Sequence, residues 1–169
     1  MFYDLGCGVG KLCTLAVQEF DVRKAVGIES HKGRVRKANE RVRRLGLEDR
    51  VEIRNEDFFE SDLKDATVTY YGLTEIDDDL PYFESHLTQG CRLVTLALPL
   101  VGVLPSGADY PFYLMKTPFQ KTRDPSAWIE KVLFHKASID GFYDELDNDY
   151  HYAYDKRAFK RMMRERFEG

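Results

Sequence analysis

The chain has no apolar run approaching the roughly 20 residues that a bilayer-crossing helix needs. No charged-then-apolar leader stands before its first strand pattern. Cysteine is scarce: Cys7, Cys13 and Cys91 are odd in number and lack paired metal spacing. That excludes a disulfide framework and points to free thiols in a reducing, cytoplasmic setting. His31, His86, His135 and His151 are scattered and form no ligand cluster, so no structural or catalytic metal is expected. Basic charge is not in excess either, since 25 Lys and Arg face 29 Asp and Glu for a net charge of -4. This balance argues against nucleic-acid binding through the whole surface and leaves room for a local basic patch. There is no internal repeat and no low-complexity linker. What remains is 169 residues, 43% hydrophobic and 32% charged. These are the length and composition of an ordinary soluble globular domain, long enough to bury a core.

Strand and helix patterns alternate over the first hundred residues. Short apolar strands are expected at 2–5, 24–29, 51–54, 66–71 and 92–98. Helices are expected at 10–20 and 31–45, the latter with Val35, Ala38, Val42 and Leu45 at helical spacing and Gly46 as its stop. A further helix runs from Thr74 through Ile76, Leu80, Phe83 and Leu87 to Gly90, kinked or split by Pro81. Alternation of this kind implies right-handed crossovers and a parallel sheet covered on both faces. Beyond it, 101–109 reads as loop and 111–119 as an outer strand, with proline at both ends marking an edge. Asp124 and Pro125 read as N-cap and first position of a helix through Trp128, Ile129, Val132 and Leu133. Residues 140–155 are acidic and tyrosine-rich. Residues 156–167 are a basic helix with Phe159, Met162, Met163 and Phe167 on one apolar stripe. The expected division is a core over 1–121 and a helical extension over 122–169.

The most informative stretch comes at the start. Asp4, Gly6, Gly8 and Gly10 form an acid-x-Gly-x-Gly-x-Gly loop between the first strand and the first helix. Glycine supplies positive φ at the turn and lets the backbone approach a ligand closely at a helix N-terminus. A dinucleotide fingerprint wants a third small residue where Lys11 stands. An acid beside the loop suits a pyrophosphate poorly and suits a ligand carrying an amino group and a sulfonium. That is the S-adenosylmethionine (SAM) version of the loop.

Three further stations fall at strand ends, where ligands sit in such sheets. Glu29 ends the second strand nineteen positions after Gly10, about the distance at which an acid accepts from a ribose diol. Its bland alternative is a solvated carboxylate. Asp57 and Phe58 follow the third strand and suit adenine, as a carboxylate for the exocyclic amine and an aromatic wall. Their alternative is an acidic turn beside a core phenylalanine. Tyr70 and Tyr71 end the fourth strand. Aromatic walls can hold a cationic amine by the ring face and disfavour its charged form. Alternation sends only one of the two to the pocket, with Tyr71 the first choice, and core aromatics are the alternative.

In this order, the loop, Glu29 and the Asp57–Phe58 pair resemble the class I, Rossmann-like, seven-strand SAM-dependent methyltransferases. The phrasing is similar to archaeal protein lysine methyltransferases, with matching stretches at 3–30, 55–80 and 89–99. The resemblance implies a doubly wound, mainly parallel α/β sheet and SAM as cofactor. It implies that Gly6, Gly8 and Gly10 wrap the methionine part with Asp4 near the amino group, that Glu29 takes the ribose, and that Asp57 and Phe58 take the adenine. Tyr70 and Tyr71 fall where the family faces the transferred methyl. The Asp/Asn-Pro-Pro-aromatic signature of adenine and amide methyltransferases is absent there, and no cysteine is followed by proline. Both nucleic-acid base classes therefore lose ground.

Related enzymes place a helix before the first strand that closes over the cofactor. Here Met1 lies inside the strand pattern, so that helix is expected to be lacking: either the chain is trimmed at this end or something else covers the cofactor. The amphipathic end at 159–167 is a candidate for that place, from the same chain or from the second subunit of a homodimer. Its bland alternative is a helix that caps the far face of the sheet. The helix over 31–45 carries Lys32, Arg34, Arg36, Lys37, Arg41, Arg43 and Arg44. It is either a solvated face or a docking surface for an acidic partner or RNA. Three functional readings follow: a methyltransferase acting on a protein lysine, one acting on RNA or a small molecule, and a SAM-binding protein without catalysis.

Overall fold

The computed structural model describes residues 1–72, 79–109, 111–124 and 126–128. Seven short strands form one sheet. In chain order they are β1 (Phe2–Leu5), β2 (Ala25–Ile28), β3 (Val51–Arg54), β4 (Val68–Tyr71), β5 (Arg92–Leu96), β6 (Gly107–Asp109) and β7 (Phe112–Lys116). Three helices interleave with them: α1 (Lys11–Glu19), α2 (Lys32–Arg44) and α3 (Leu80–His86), with a 3-10 turn at Phe58–Glu60. The spatial order is β3-β2-β1-β4-β5-β7-β6. The first five strands pair in parallel, and β7 runs antiparallel to both β5 and β6. The order in which strands are added reverses beside β1, the switch point where ligands bind in open α/β sheets.

Registers explain the two cores. Leu5, Ile28 and Tyr71 occupy equivalent positions on neighbouring strands and face one side. They pack with Leu63, Phe83 of α3, Leu93 and Met115. On the opposite face Ala25 and Val51 meet Cys13 and Val17 of α1 and Val42 of α2. Gly27 of β2 permits the close approach there, since a Cβ would lie 2.7 Å from the Cys7 sulfur and 2.9 Å from that of Cys13.

Two expectations are corrected. The strand at 112–116 is interior, because β6, drawn from the segment expected to be loop, covers its outer side and becomes the edge. Pro111 and Pro118 flank the strand without entering its ladder, so they mark its ends, not an exposed side. α3 starts at Leu80 with Pro81 in its first turn, where a missing N–H costs nothing. The expected start of that helix at Thr74 and Ile76 lies outside the described residues. Asp124 does cap a helical turn: its Oδ1 accepts from the Ser126 amide at 2.9 Å. Trp128, fully buried, donates its indole N–H to the Leu100 carbonyl at 3.0 Å. The remaining extension, including 140–155 and the stripe at 156–167, lies outside the described residues. Among those described, no helix is long and apolar enough to cross a membrane.

Candidate functional site

The carboxyl ends of β1, β2, β3 and β4 bring Gly6, Glu29, Asn55 and Gly72 to one edge of the sheet. The loop that opens this edge has the conformation its glycines permit: φ is +76° at Gly6, +56° at Gly8 and +71° at Gly10. An L side chain at any of the three would be strained. Gly10 is also the N-cap of α1 and packs closely, since a Cβ there would lie 3.2 Å from that of Ala38. Gly8 instead has open space where a Cβ would point.

Glu29 holds this loop from the neighbouring strand. It is buried, and its Oε2 accepts from the Gly8 amide at 3.0 Å while Oε1 accepts from the His31 amide at 2.8 Å. Arg34 of α2 reaches to 3.7 Å from Oε2. A carboxylate has about four acceptor sites, so two amides leave capacity for a diol. Asn55 fixes the segment from below, donating from Nδ2 to the carbonyls of Glu29 and Ser30, both at 2.9 Å. The sequence reading did not single out Asn55, and its only signal was an amide residue at a strand end.

Asp4 is buried, with the Cys13 thiol donating to its Oδ2 at 3.8 Å. Burial raises its carboxyl pKa from 3.8 to about 7, helped by the Glu29 charge and opposed by the thiol bond. The Cys13 thiol is itself raised, by the neighbouring Cys7 and by burial, so it stays protonated as a donor. Among the described residues, no cation forms an ion pair with this carboxyl.

Asp57 is exposed and caps the 3-10 turn, its Oδ1 accepting from the Phe59 amide at 3.0 Å. Phe58 lies in an aromatic group with Phe59, Tyr71 and Tyr82, ring centroids 4.2, 5.7 and 6.0 Å away. Tyr82 donates its hydroxyl to the Phe58 carbonyl, which anchors the turn to α3.

The two tyrosines of β4 part company. Tyr70 pairs in register with Asp4 and shares its face, half-buried, with its hydroxyl pKa raised by burial and by the Asp4 charge. Its ring lies over Gly72, where a Cβ would stand 2.7 Å from the hydroxyl oxygen. Tyr71 points the other way, is 5% exposed, and donates its hydroxyl to buried Asp79. Asp79 escaped the sequence reading because it is eight residues away in sequence and meets Tyr71 only when α3 folds against β4.

Residues 4–107, spanning the glycine loop, Glu29, the Asp57 turn and β4, match the ANTKMT methyltransferase domain. The chain belongs to that family. A protein-lysine N-methyltransferase from Saccharolobus islandicus (strain REY15A) is 40% identical over 95 residues, which cover 55% of this chain and 59% of that protein. The chain therefore spans less than two thirds of that relative's length. An RNA methyltransferase from Salinibacter ruber, crystallised with S-adenosyl-L-homocysteine, superposes with a TM-score of 0.66 at 28% identity. That match covers 73% of this chain and 84% of the other. A geranyl diphosphate C-methyltransferase from Streptomyces coelicolor A3(2) gives 0.50 at 26% identity, covering 56% of this chain and 37% of the other.

Proposed function

We propose that this chain is a SAM-dependent methyltransferase that delivers the methyl to an amine nitrogen, that of a protein lysine. The observation that carries the reading is the buried, uncompensated Asp4 carboxyl beside a glycine loop pinned by Glu29. A neutral or anionic ligand would leave the Asp4 carboxylate with the Cys13 thiol as its donor and no cation, whereas a ligand with a cationic amino group supplies one. The donor set fits SAM along its whole length: Asp4 for the amino group, Gly6, Gly8 and Gly10 against the methionine part, Glu29 for the ribose, Asp57 and Phe58 for the adenine.

When bound, the cofactor supplies an already activated methyl on a sulfonium. The chain's own residues then have to orient the acceptor amine, keep water out and disfavour the ammonium form. Tyr70, on the Asp4 face, is the ring we assign to the acceptor, because its face can hold a lysine side chain while its half-buried setting penalises charge. To Tyr71, packed in the core, we assign a supporting role: its hydroxyl bond to Asp79 ties the end of β4, and so Tyr70, in place. The choice of lysine leans on the Saccharolobus relative, and an RNA acceptor, favoured by the Salinibacter relative and the basic α2, is the second reading. The buried free thiols Cys7, Cys13 and Cys91 support a reducing, cytoplasmic setting.

Two experiments test the proposal. Calorimetric titration should show binding of SAM and none of NAD. Incubation of the protein with methyl-labelled SAM and cell extract should place label in material that protease destroys and nuclease leaves intact. Label lost to nuclease selects the RNA reading, and binding without any transfer leaves a SAM-binding protein.

A further inference from the structure

α2 carries seven cations in thirteen residues and a single acid, Glu40. Arg34, Lys37, Arg41 and Arg44 recur at i, i+3, i+7 and i+10, which sets them in one stripe on the helix. At the rise of an α-helix the stripe is about 15 Å long. It abuts the glycine loop, because Arg41 donates from Nε to the Val9 carbonyl at 3.1 Å and Arg34 stands 3.7 Å from Glu29. Lys32, Lys37, Arg43 and Arg44 are exposed and make no ion pair among the described residues.

A merely solvated helix relieves its charge by alternating sign at i, i+4, and here that happens within 4.0 Å once, between Arg36 and Glu40 at 3.9 Å. Lys32 with Arg36, Arg34 with Lys37, Lys37 with Arg41 and Arg41 with Arg44 are like-charged neighbours that repel. The repulsion is concentrated in a chain whose net charge is -4, so it does not reflect a basic protein. A partner bearing carboxylates turns it into attraction, and arginine forks match carboxylates in two-point contacts.

We propose that this stripe is a docking surface for an acidic peptide segment, and that the acceptor lysine lies in such a segment. The proposal rests on the lysine reading above. An extended RNA fits less well. The island ends at exposed Glu48 and Asp49, just past the helix, whereas RNA carries charge continuously along its strand. The stripe also offers no aromatic side chain on which an unpaired base would stack.

The test uses the full chain and three fluorescent probes: a twelve-residue peptide with one lysine among glutamates, its counterpart with glutamines, and a single-stranded RNA of similar length. Binding is read by anisotropy with saturating SAM. The glutamate peptide should bind on the order of tenfold more tightly than the glutamine one at low salt, and the preference should vanish at high salt. Lys37→Glu with Arg44→Glu should abolish the preference while leaving SAM affinity and melting temperature unchanged. A peptide with lysines in place of the glutamates should then bind the double variant better than the wild type, a reversal that mere structural damage would not produce. Equal binding of the two peptides to the wild type overturns the proposal. So does tight, salt-sensitive RNA binding that the double variant loses while glutamate-peptide binding is weak. Failure of the lysine reading shows separately, as nuclease-sensitive label in the extract assay.

Discussion

The amide of Gly8 donates to Oε2 of Glu29 at 3.0 Å, across 21 residues of sequence. One carboxylate therefore shapes the glycine loop and keeps further acceptor sites for the ribose we propose it holds. Glu29→Gln should keep the fold, since the amide oxygen still accepts one bond. It removes the charge from two bonds of roughly 1.5–3 kcal/mol each. SAM affinity should fall by about one to two orders of magnitude in calorimetry, with far-ultraviolet circular dichroism unchanged. Wild-type affinity in this variant would remove Glu29 from the site.

Asp4 should make cofactor binding depend on pH. Its carboxyl, raised to about 7 by burial, is largely protonated below that value in the free protein. An incoming cationic amino group favours the carboxylate. SAM affinity should therefore rise between pH 6 and 8, with a proton released on binding near pH 7. Titrations in two buffers of different ionisation heat count that proton. Asp4→Asn should flatten the profile and weaken binding.

The same group opposes stability in the free protein. Its folded pKa, about 7, lies above the ordinary 3.8, so the folded state holds the proton more tightly. The favourable contribution is full below about pH 4 and is lost as pH rises through about 7. The gap corresponds to roughly 4 kcal/mol at full weight. Asp4→Asn should consequently melt higher than the wild type at pH 8 without SAM, and this advantage should shrink towards pH 4. Thermal scans at the two pH values check it.

Gly27 has no room for a methyl group, because both sulfurs behind the loop stand within 3.0 Å of it. Gly27→Ala should destabilise by about 1–3 kcal/mol, as overpacking does. Adding Cys7→Ala removes the nearer sulfur and should recover part of that loss in urea unfolding. Strict additivity of the two changes would contradict the contact.

Tyr70 and Tyr71 should separate turnover from stability. Tyr70→Ala should lower turnover at least tenfold with a small change in melting temperature. Tyr71→Phe removes the hydroxyl bond to buried Asp79 and should cost about 0.5–1.5 kcal/mol of stability. If Tyr70→Ala and Tyr71→Ala both keep wild-type turnover on the true acceptor, neither faces the methyl.

Local rules carried much of the fold. β1 through β5, α1 and α2 lie where periodicity and glycine placed them, because each buries a face whose pattern is written within a few residues. The antiparallel end was less legible. β6 has three residues, too few for a period, and becomes a strand only because β7 is there to pair with it. Among candidate site residues, Asp4, Gly6, Gly8, Gly10 and Glu29 stood out in the sequence because motif and spacing act over one strand–loop–helix–strand unit. Asn55 and Asp79 did not, since each meets its partner only when separate elements pack together.

By itself, the sequence determined the α/β alternation, the glycine loop with its acid, and the concentration of cations on one helix. These rest on backbone conformation and short-range periodicity, which neighbouring residues impose. Tertiary structure decided which partner each of those groups meets. It buried Asp4 and so raised its pKa, decided that Tyr70 and not Tyr71 shares the Asp4 face, and laid α2 against the glycine loop. Burial and proximity between distant segments arise only when the sheet assembles, and the chemistry of this edge follows from them.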